Sequence, residues 1–205
     1  MRATGAASHG RQGPSHQQQY ERKYVQGQLP GTTSEKDHKP KQGPLEIFVL
    51  PHSHCDVGWH QTVYGYFNSS VSSILTTVTE KLATNSKYRF VWSEVKWFEM
   101  WWPLQNPATQ KTFRRLVRDG QLEFVGGGWS QSDEVSPSYR DIVDNTLTGH
   151  EYLLRTLGDD CPNRRCVRFG WQIDMFSGYS STTPTLWTMM GYDGMVIRFE
   201  GSDDC

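Results

Sequence analysis

Two histidines, a cysteine and an aspartate stand within five residues at His52, His54, Cys55 and Asp56. A neutral imidazole and a carboxylate two residues apart can both reach one cation if the loop between them curls, and nitrogen with oxygen suits Zn²⁺. His54 and Asp56 therefore make half of a candidate metal site. The alternative is that they cap the next element and bond their own loop, which an arbitrary H-x-D does more often. Position favours chemistry. Leu45, Ile47, Phe48, Val49 and Leu50 read as a strand buried on both faces, and Pro51 ends it. The polar residues then fall past the strand's carboxyl end, where α/β folds keep their active sites. Other acids occupy similar places: Asp133 and Glu134 follow Leu122–Val125, and Asp174 follows Val167–Ile173.

The elements that must position these residues alternate. Val71, Ile74, Leu75, Val78 and Leu82 recur at helical spacing, with Ser69 or Ser70 placed as the cap. Tyr88–Ser93 is a second strand, and Glu94–Trp102 a short helix ended by Pro103, its tryptophans read as packing. A helix opening at Pro107 directs Phe113, Leu116 and Val117 inward, with Gly120 at its C′ position. After the third strand, Gly126, Gly127 and Gly128 lack the spacing of a phosphate loop and fit a tight turn or a close approach to a ligand. The longest helix begins at Pro137, with Tyr139, Ile142, Val143, Thr146, Leu147, Leu153, Leu154 and Leu157 along its inner face and His150 beside them. A fourth strand delivers Asp174. Pro184–Met190 is a further helix, and Gly194–Phe199 a fifth strand bringing Arg198 near its end. The expected fold is α/β, a mostly parallel sheet with alternating helices. Its chemistry converges on one rim, and a fifth strand left uncovered at Phe199 would favour aggregation.

At 205 residues and a formal charge of −1, the chain gives no reason to expect a nucleic-acid partner. Met1–Pro44 holds few aliphatic residues and reads as a disordered polar tail or stem, leaving 45–205 as the folded domain. No apolar run is long enough for a membrane span, and no signal-peptide core follows Met1. Asn68-Ser69-Ser70 is one glycosylation sequon. Of the four cysteines, Cys161 and Cys166 could close only a small loop, and a disulfide there is an option rather than the expectation.

Taken in order, PHSHCDVGW, WSEVKWFEMWW, GQLEFVGGGWSQSDE, GWQIDMFSGYS and GYDGMVIR resemble the catalytic domain of glycoside hydrolase family 38, the α-mannosidases, over roughly Leu45–Arg198. Lysosomal and epididymal members look nearer than Golgi ones. The resemblance implies the front part of a seven-stranded β/α catalytic domain and one Zn²⁺ held by His54, Asp56 and Asp174. It makes Asp174 the nucleophile, with Trp59, Phe176 and Arg198 lining a mannose pocket. It also implies retaining hydrolysis of terminal α-mannose on N-glycan-type substrates and a place in the secretory pathway, where Asn68 could carry a glycan. The family draws its acid/base and a further zinc histidine from segments expected beyond Cys205. Where the family reads I-D-P-F-G-H-S this chain has IDMFSGYS, which alters the loop beside Asp174. Cys55 is expected to point away from the metal. Two other readings stand beside this one: a non-catalytic form that keeps only the front half of the fold, and a metal-dependent carbohydrate deacetylase. The deacetylase leaves GGGW and IDMF unexplained.

Overall fold

The computed structural model of the chain describes residues 47–174 and 179–198. Two units divide it, Met1–Ile47 and Phe48–Cys205. The polar segment 1–44 therefore lies outside the described residues, as do Phe176 and Phe199.

The first helical stretch is α1 (Val63–Tyr66), a π-helical turn (Phe67–Val71) and α2 (Ser72–Thr84). Thr62, not Ser69 or Ser70, caps it, its Oγ1 accepting from Gly65 N at 3.1 Å. β1 (Phe90–Trp92) leads into α3 (Val95–Trp101), whose end tightens into a 3₁₀ turn, Trp102–Leu104, with Pro103 inside it. α4 (Pro107–Arg118) is capped by the Asn106 side chain, and Gly120, at φ +64°, follows it before β2 (Leu122–Phe124). The longest helix, α5 (Tyr139–Leu157), starts two residues later than Pro137 implied. Ser138 accepts from Asp141 N and the Asp141 side chain returns to Ser138 N, a complete capping box. β3 (Phe169–Gln172), α6 (Thr182–Met189) and β4 (Gly194–Ile197) close the described chain.

β1 pairs parallel with β2 and β3 parallel with β4. Single parallel bridges join Phe124 to Val167 and His52 to Val91, so pairing steps through the chain in order. A helix lies between each strand and the next. This is the expected α/β arrangement of parallel strands, with every strand's carboxyl end on one rim.

The stretch before His52 departs from expectation. Val91 N donates to Pro51 O at 3.0 Å, but Ile47–Leu50 form no strand, and Phe48 is 85% exposed. Among the described residues nothing covers that apolar run, so it lacks the two-sided burial that would hold it as a central strand.

The core lies against β1 and β2. Trp92, Trp97, Phe98, Trp101, Phe113 and Leu116 are fully buried, with Leu153 and Leu157 of α5 reaching them. Phe98 stacks on Phe113 at 5.0 Å between ring centroids. Each such side chain contributes about 1.5–3 kcal/mol through burial. The tryptophans of α3 are packing, as their spacing implied. α5 buries Ile142, Thr146, Leu153 and Leu157 as expected, but its inner face is turned toward Gly149, which is buried, while Tyr139, Leu147 and Leu154 are exposed. The cause is steric. A Cβ on Gly149 would lie 2.0 Å from Gly127 O, so the helix turns its one side-chain-free position onto the glycine loop. Cys161 and Cys166 are joined in a disulfide, against expectation, and Cys161 is buried in the core. No described helix is long and apolar enough to cross a membrane.

Candidate metal and sugar site

Two separate places on the sheet supply the candidate ligands: the loop that follows the isolated His52–Val91 bridge, and the end of β3. The Pro51–Val91 hydrogen bond fixes where the first loop leaves the sheet, and the Trp97 indole N–H holds that loop from below, donating to Cys55 O at 2.7 Å. With Cys55 anchored through its carbonyl, the residues either side turn outward. The Cys55 thiol packs toward the core, and burial, then the Glu94 and Asp56 charges, push it up to about 12.

The second place is the end of β3. Arg198 N, just past β4, donates to Gln172 O at 3.0 Å, and Gln172 Nε2 reaches across to Ser132 O at 2.8 Å. Asp174 follows two residues later. His54 Nε2 stands 3.1 Å from Asp174 Oδ2 and 3.4 Å from Asp56 Oδ1. The donor atoms of all three residues lie within 4.8 Å of one another. A tetrahedral zinc with bonds near 2.0–2.2 Å spaces its donors about 3.3–3.6 Å apart. The set is the nitrogen-plus-oxygen mix such an ion takes, and two carboxylates aimed at one imidazole nitrogen are better reconciled by a cation than by each other. The residues present fit three positions of a zinc site.

A cavity opens beside them, its lining including Cys55, Asp56, Trp59, Glu94, Gln131 and Asp133. Trp59 is 68% exposed and tilted against His60, so its ring forms an outer wall. Arg198 is exposed beside the β3 strand end; Phe176 lies outside the described residues. Asn68 is exposed on the π-helical turn, well outside this cavity. Asp133 accepts from Val135 N at 3.0 Å and from Ser136 Oγ at 2.7 Å, contacts that hold its carboxyl below the usual carboxylate range. Glu134 accepts from Ser180 N at 2.6 Å. Both acids bond loops.

The glycine loop carries this wall. Gly126 and Gly127 take positive φ, and Gly126 N donates to Phe169 O at 2.8 Å. Asn145 of α5 grips the next stretch, bonding Ser130 N, Ser130 O and Ser132 Oγ. Tyr192 OH donates to Gly126 O at 2.6 Å and meets His150 Nε2 at 2.8 Å. His150 is thus a supporting residue, as its place on the helix implied.

Sequence reading missed Glu94, placed in a helix although it follows β1 directly. It is 1% exposed, and neither carboxyl oxygen has a hydrogen-bond partner. Burial pushes it up to about 8. The signal was available: like Asp174, it is an acid at a strand's carboxyl end.

Residues 44–198 match the family described as Glycosyl hydrolases family 38 N-terminal domain. Alpha-mannosidase C of Dictyostelium discoideum is 40% identical over 172 residues, 83% of this chain and 15% of that protein. Lysosomal alpha-mannosidase of Bos taurus is 40% identical over 167 residues, 78% of this chain and 16% of that protein. The chain thus spans about one-sixth of the length of these relatives. An alpha-mannosidase from Enterococcus faecalis V583 shares the fold, with a TM-score of 0.59 at 18% identity over 72% of this chain and 16% of that one. With the family's domain matched from just before the candidate loop to the residue after β4, the chain belongs to glycosyl hydrolase family 38.

Proposed function

We propose that this chain forms part of the active site of a zinc-dependent, retaining α-mannosidase that removes terminal α-mannose from N-glycan-type oligosaccharides. One observation carries the reading: His54 and Asp56 converge with Asp174, 120 residues on from His54 in sequence. Packing alone gives no reason for two acids to share one imidazole nitrogen. His54, Asp56 and Asp174 would hold the ion, and a bound zinc would supply Lewis-acid coordination to sugar hydroxyls. Asp174 is the nucleophile. Its free carboxylate oxygen bonds to the anomeric carbon as the bond to the leaving oxygen breaks, and water then releases the sugar with retention. Trp59 offers an aromatic face to the ring. Arg198 stands exposed at the same rim, and Phe176 is assigned to the sugar pocket by the family resemblance alone. Retention requires an acid/base carboxyl about 5–5.5 Å from the nucleophile; Asp133 and Glu134, both engaged in their own loops, do not take that role.

The secretory pathway is the compartment proposed. The Cys161–Cys166 disulfide suits an oxidising lumen, and exposed Asn68 is open to glycosylation. One relative is itself a lysosomal alpha-mannosidase.

The test is zinc content and affinity of the 205-residue chain beside Asp56→Ala and Asp174→Ala, with p-nitrophenyl α-mannoside turnover read on the same samples. The expected result is one zinc per chain, lost in both variants. A folded chain that binds no zinc, or variants that bind it unchanged, would overturn the reading. Turnover shown by the wild type and abolished by Asp174→Ala would place the whole reaction on this chain; zinc without turnover would assign it only the metal half-site.

A further inference from the structure

Three acids are buried among the described residues, and two are accounted for. Asp160 pairs with Arg114 and Arg118, and Glu134 accepts from Ser180 N through Oε2, leaving only its Oε1 unbonded. Glu94 has no such partner. Its carboxyl is sealed from solvent with neither oxygen in a hydrogen bond, and the nearby Glu94 and Cys55 backbone amides offset only part of the cost of burial. The backbone leaves it no escape. Trp92 Nε1 donates to Glu94 O at 2.9 Å, and Val95 N donates to Gly128 O at 3.0 Å, so the junction of β1 and α3 is clamped on both sides.

What the carboxyl faces explains its retention. Glu94 Oε1 stands 3.7 Å from His54 Nδ1, while Nε2 of the same ring faces Asp56 and Asp174. The imidazole is bracketed, with the candidate metal ligands on one nitrogen and a single buried acid on the other. Closing the Glu94 contact to a hydrogen bond of about 3 Å takes only a small tilt of the ring. We propose that Glu94 is the positioning residue of this site: it accepts the Nδ1 proton of His54 and thereby aims the Nε2 lone pair at the cation. A carboxyl oxygen accepts whether or not the group carries a proton, so the role needs no particular charge state. Outer carboxylates of this kind orient metal-binding histidines, and their loss weakens metal affinity about 10- to 100-fold.

The inference rests on the metal reading above, and the experiment separates the two. Zinc affinity is measured by competition with a chromophoric chelator on the full chain, with metal-free thermal melting of each sample. Glu94→Leu is expected to weaken zinc about 10- to 100-fold while metal-free melting stays level or rises, because an unpartnered buried carboxyl has gone. Glu94→Gln keeps an acceptor oxygen at the same reach and is expected to bind within a few-fold of wild type. Glu94→Asp keeps the carboxyl but withdraws the oxygen by about one methylene, and is expected to bind weakly. This shorter variant decides the matter if Glu94→Leu does not fold. Equal affinity in wild type and Glu94→Asp would overturn the inference alone. So would a fall in affinity that merely tracks a fall in metal-free melting. A wild type that binds no zinc overturns the site reading and this inference with it.

Discussion

In the core beneath β1 and β2, each fully buried indole gives its N–H to a partner: Trp92 to Glu94 O, Trp97 to Cys55 O, Trp101 to Thr76 Oγ1. A few residues away on the rim, both Glu94 carboxyl oxygens, Ser53 Oγ and Gln131 Oε1 are sealed from solvent without a hydrogen bond. Buried polar atoms are ordinarily satisfied, so the contrast separates a region that is finished within the chain from one shaped for something outside it. The two are joined by construction. Two of the core's three indole bonds end on the backbone of Cys55 and Glu94, beside the candidate ligands.

The largest expected effect lies where helix and rim touch. Gly149→Ala would drive a Cβ to 2.0 Å from Gly127 O, a backbone atom that cannot swing aside. The cost is about 3 kcal/mol or more, because α5 or the glycine loop must move. Urea unfolding checks it. A normal midpoint would mean that the close approach is not maintained in solution.

A pair of substitutions sharpens the contrast itself. Trp97→Phe and Trp101→Phe remove similar volumes from the same core, and each is expected to cost about 2–3 kcal/mol. Only Trp97 bonds the ligand loop, so only Trp97→Phe should also weaken zinc binding. Equal zinc affinity in the two variants would show that the core does not position the rim.

Reduction of Cys161–Cys166 should matter less. The bridge closes a loop of only 5 residues, worth up to about 2 kcal/mol by loop entropy. It sits on the core side, so Cys161→Ser with Cys166→Ser should lower the melting temperature and leave zinc affinity unchanged.

How much of this was legible in the sequence follows the same division. Periodicity located α2, α4 and α5, and strand-end position located His54, Asp56 and Asp174, because each rests on local pattern. The face of α5 did not follow from pattern: Leu147 and Leu154 fit the period, but the close approach of Gly149 to Gly127 set the rotation. Thr62 was missed as the cap because the π-helical turn carries the helix back past Ser69. Ile47–Leu50 has the letters of a central strand, yet burial depends on neighbours that letters do not show. Glu94 was hidden by counting it into the helix it precedes. The Cys161–Cys166 pairing depended on how the chain turns after α5, a distance that spacing alone does not give.

The smallest expected effect is a pH slope, and it tests whether the rim's support is as sensitive as its empty polar groups imply. His150 is held below the usual histidine range by burial, against a smaller opposing pull from the Gly126 backbone. The folded chain therefore takes up a proton here less readily than the unfolded chain does. Its contribution to stability is fully present above the unfolded pKa of about 6.5 and is lost as pH falls through that value toward the lower folded one. Protonation would also put a buried charge beside Tyr192, the residue that holds Gly126 O. Between pH 7 and pH 5.5 the Glu94 carboxyl, raised by burial to about 8, takes up a proton on folding and pulls the other way, so the readout is a difference: the metal-free wild type should lose stability relative to His150→Gln, which keeps a donor for Tyr192. Core substitutions such as Trp101→Phe should shift the whole curve down without changing its slope. An unchanged slope in His150→Gln would mean that the glycine loop tolerates the charge, and that rim and core are equally indifferent to acid.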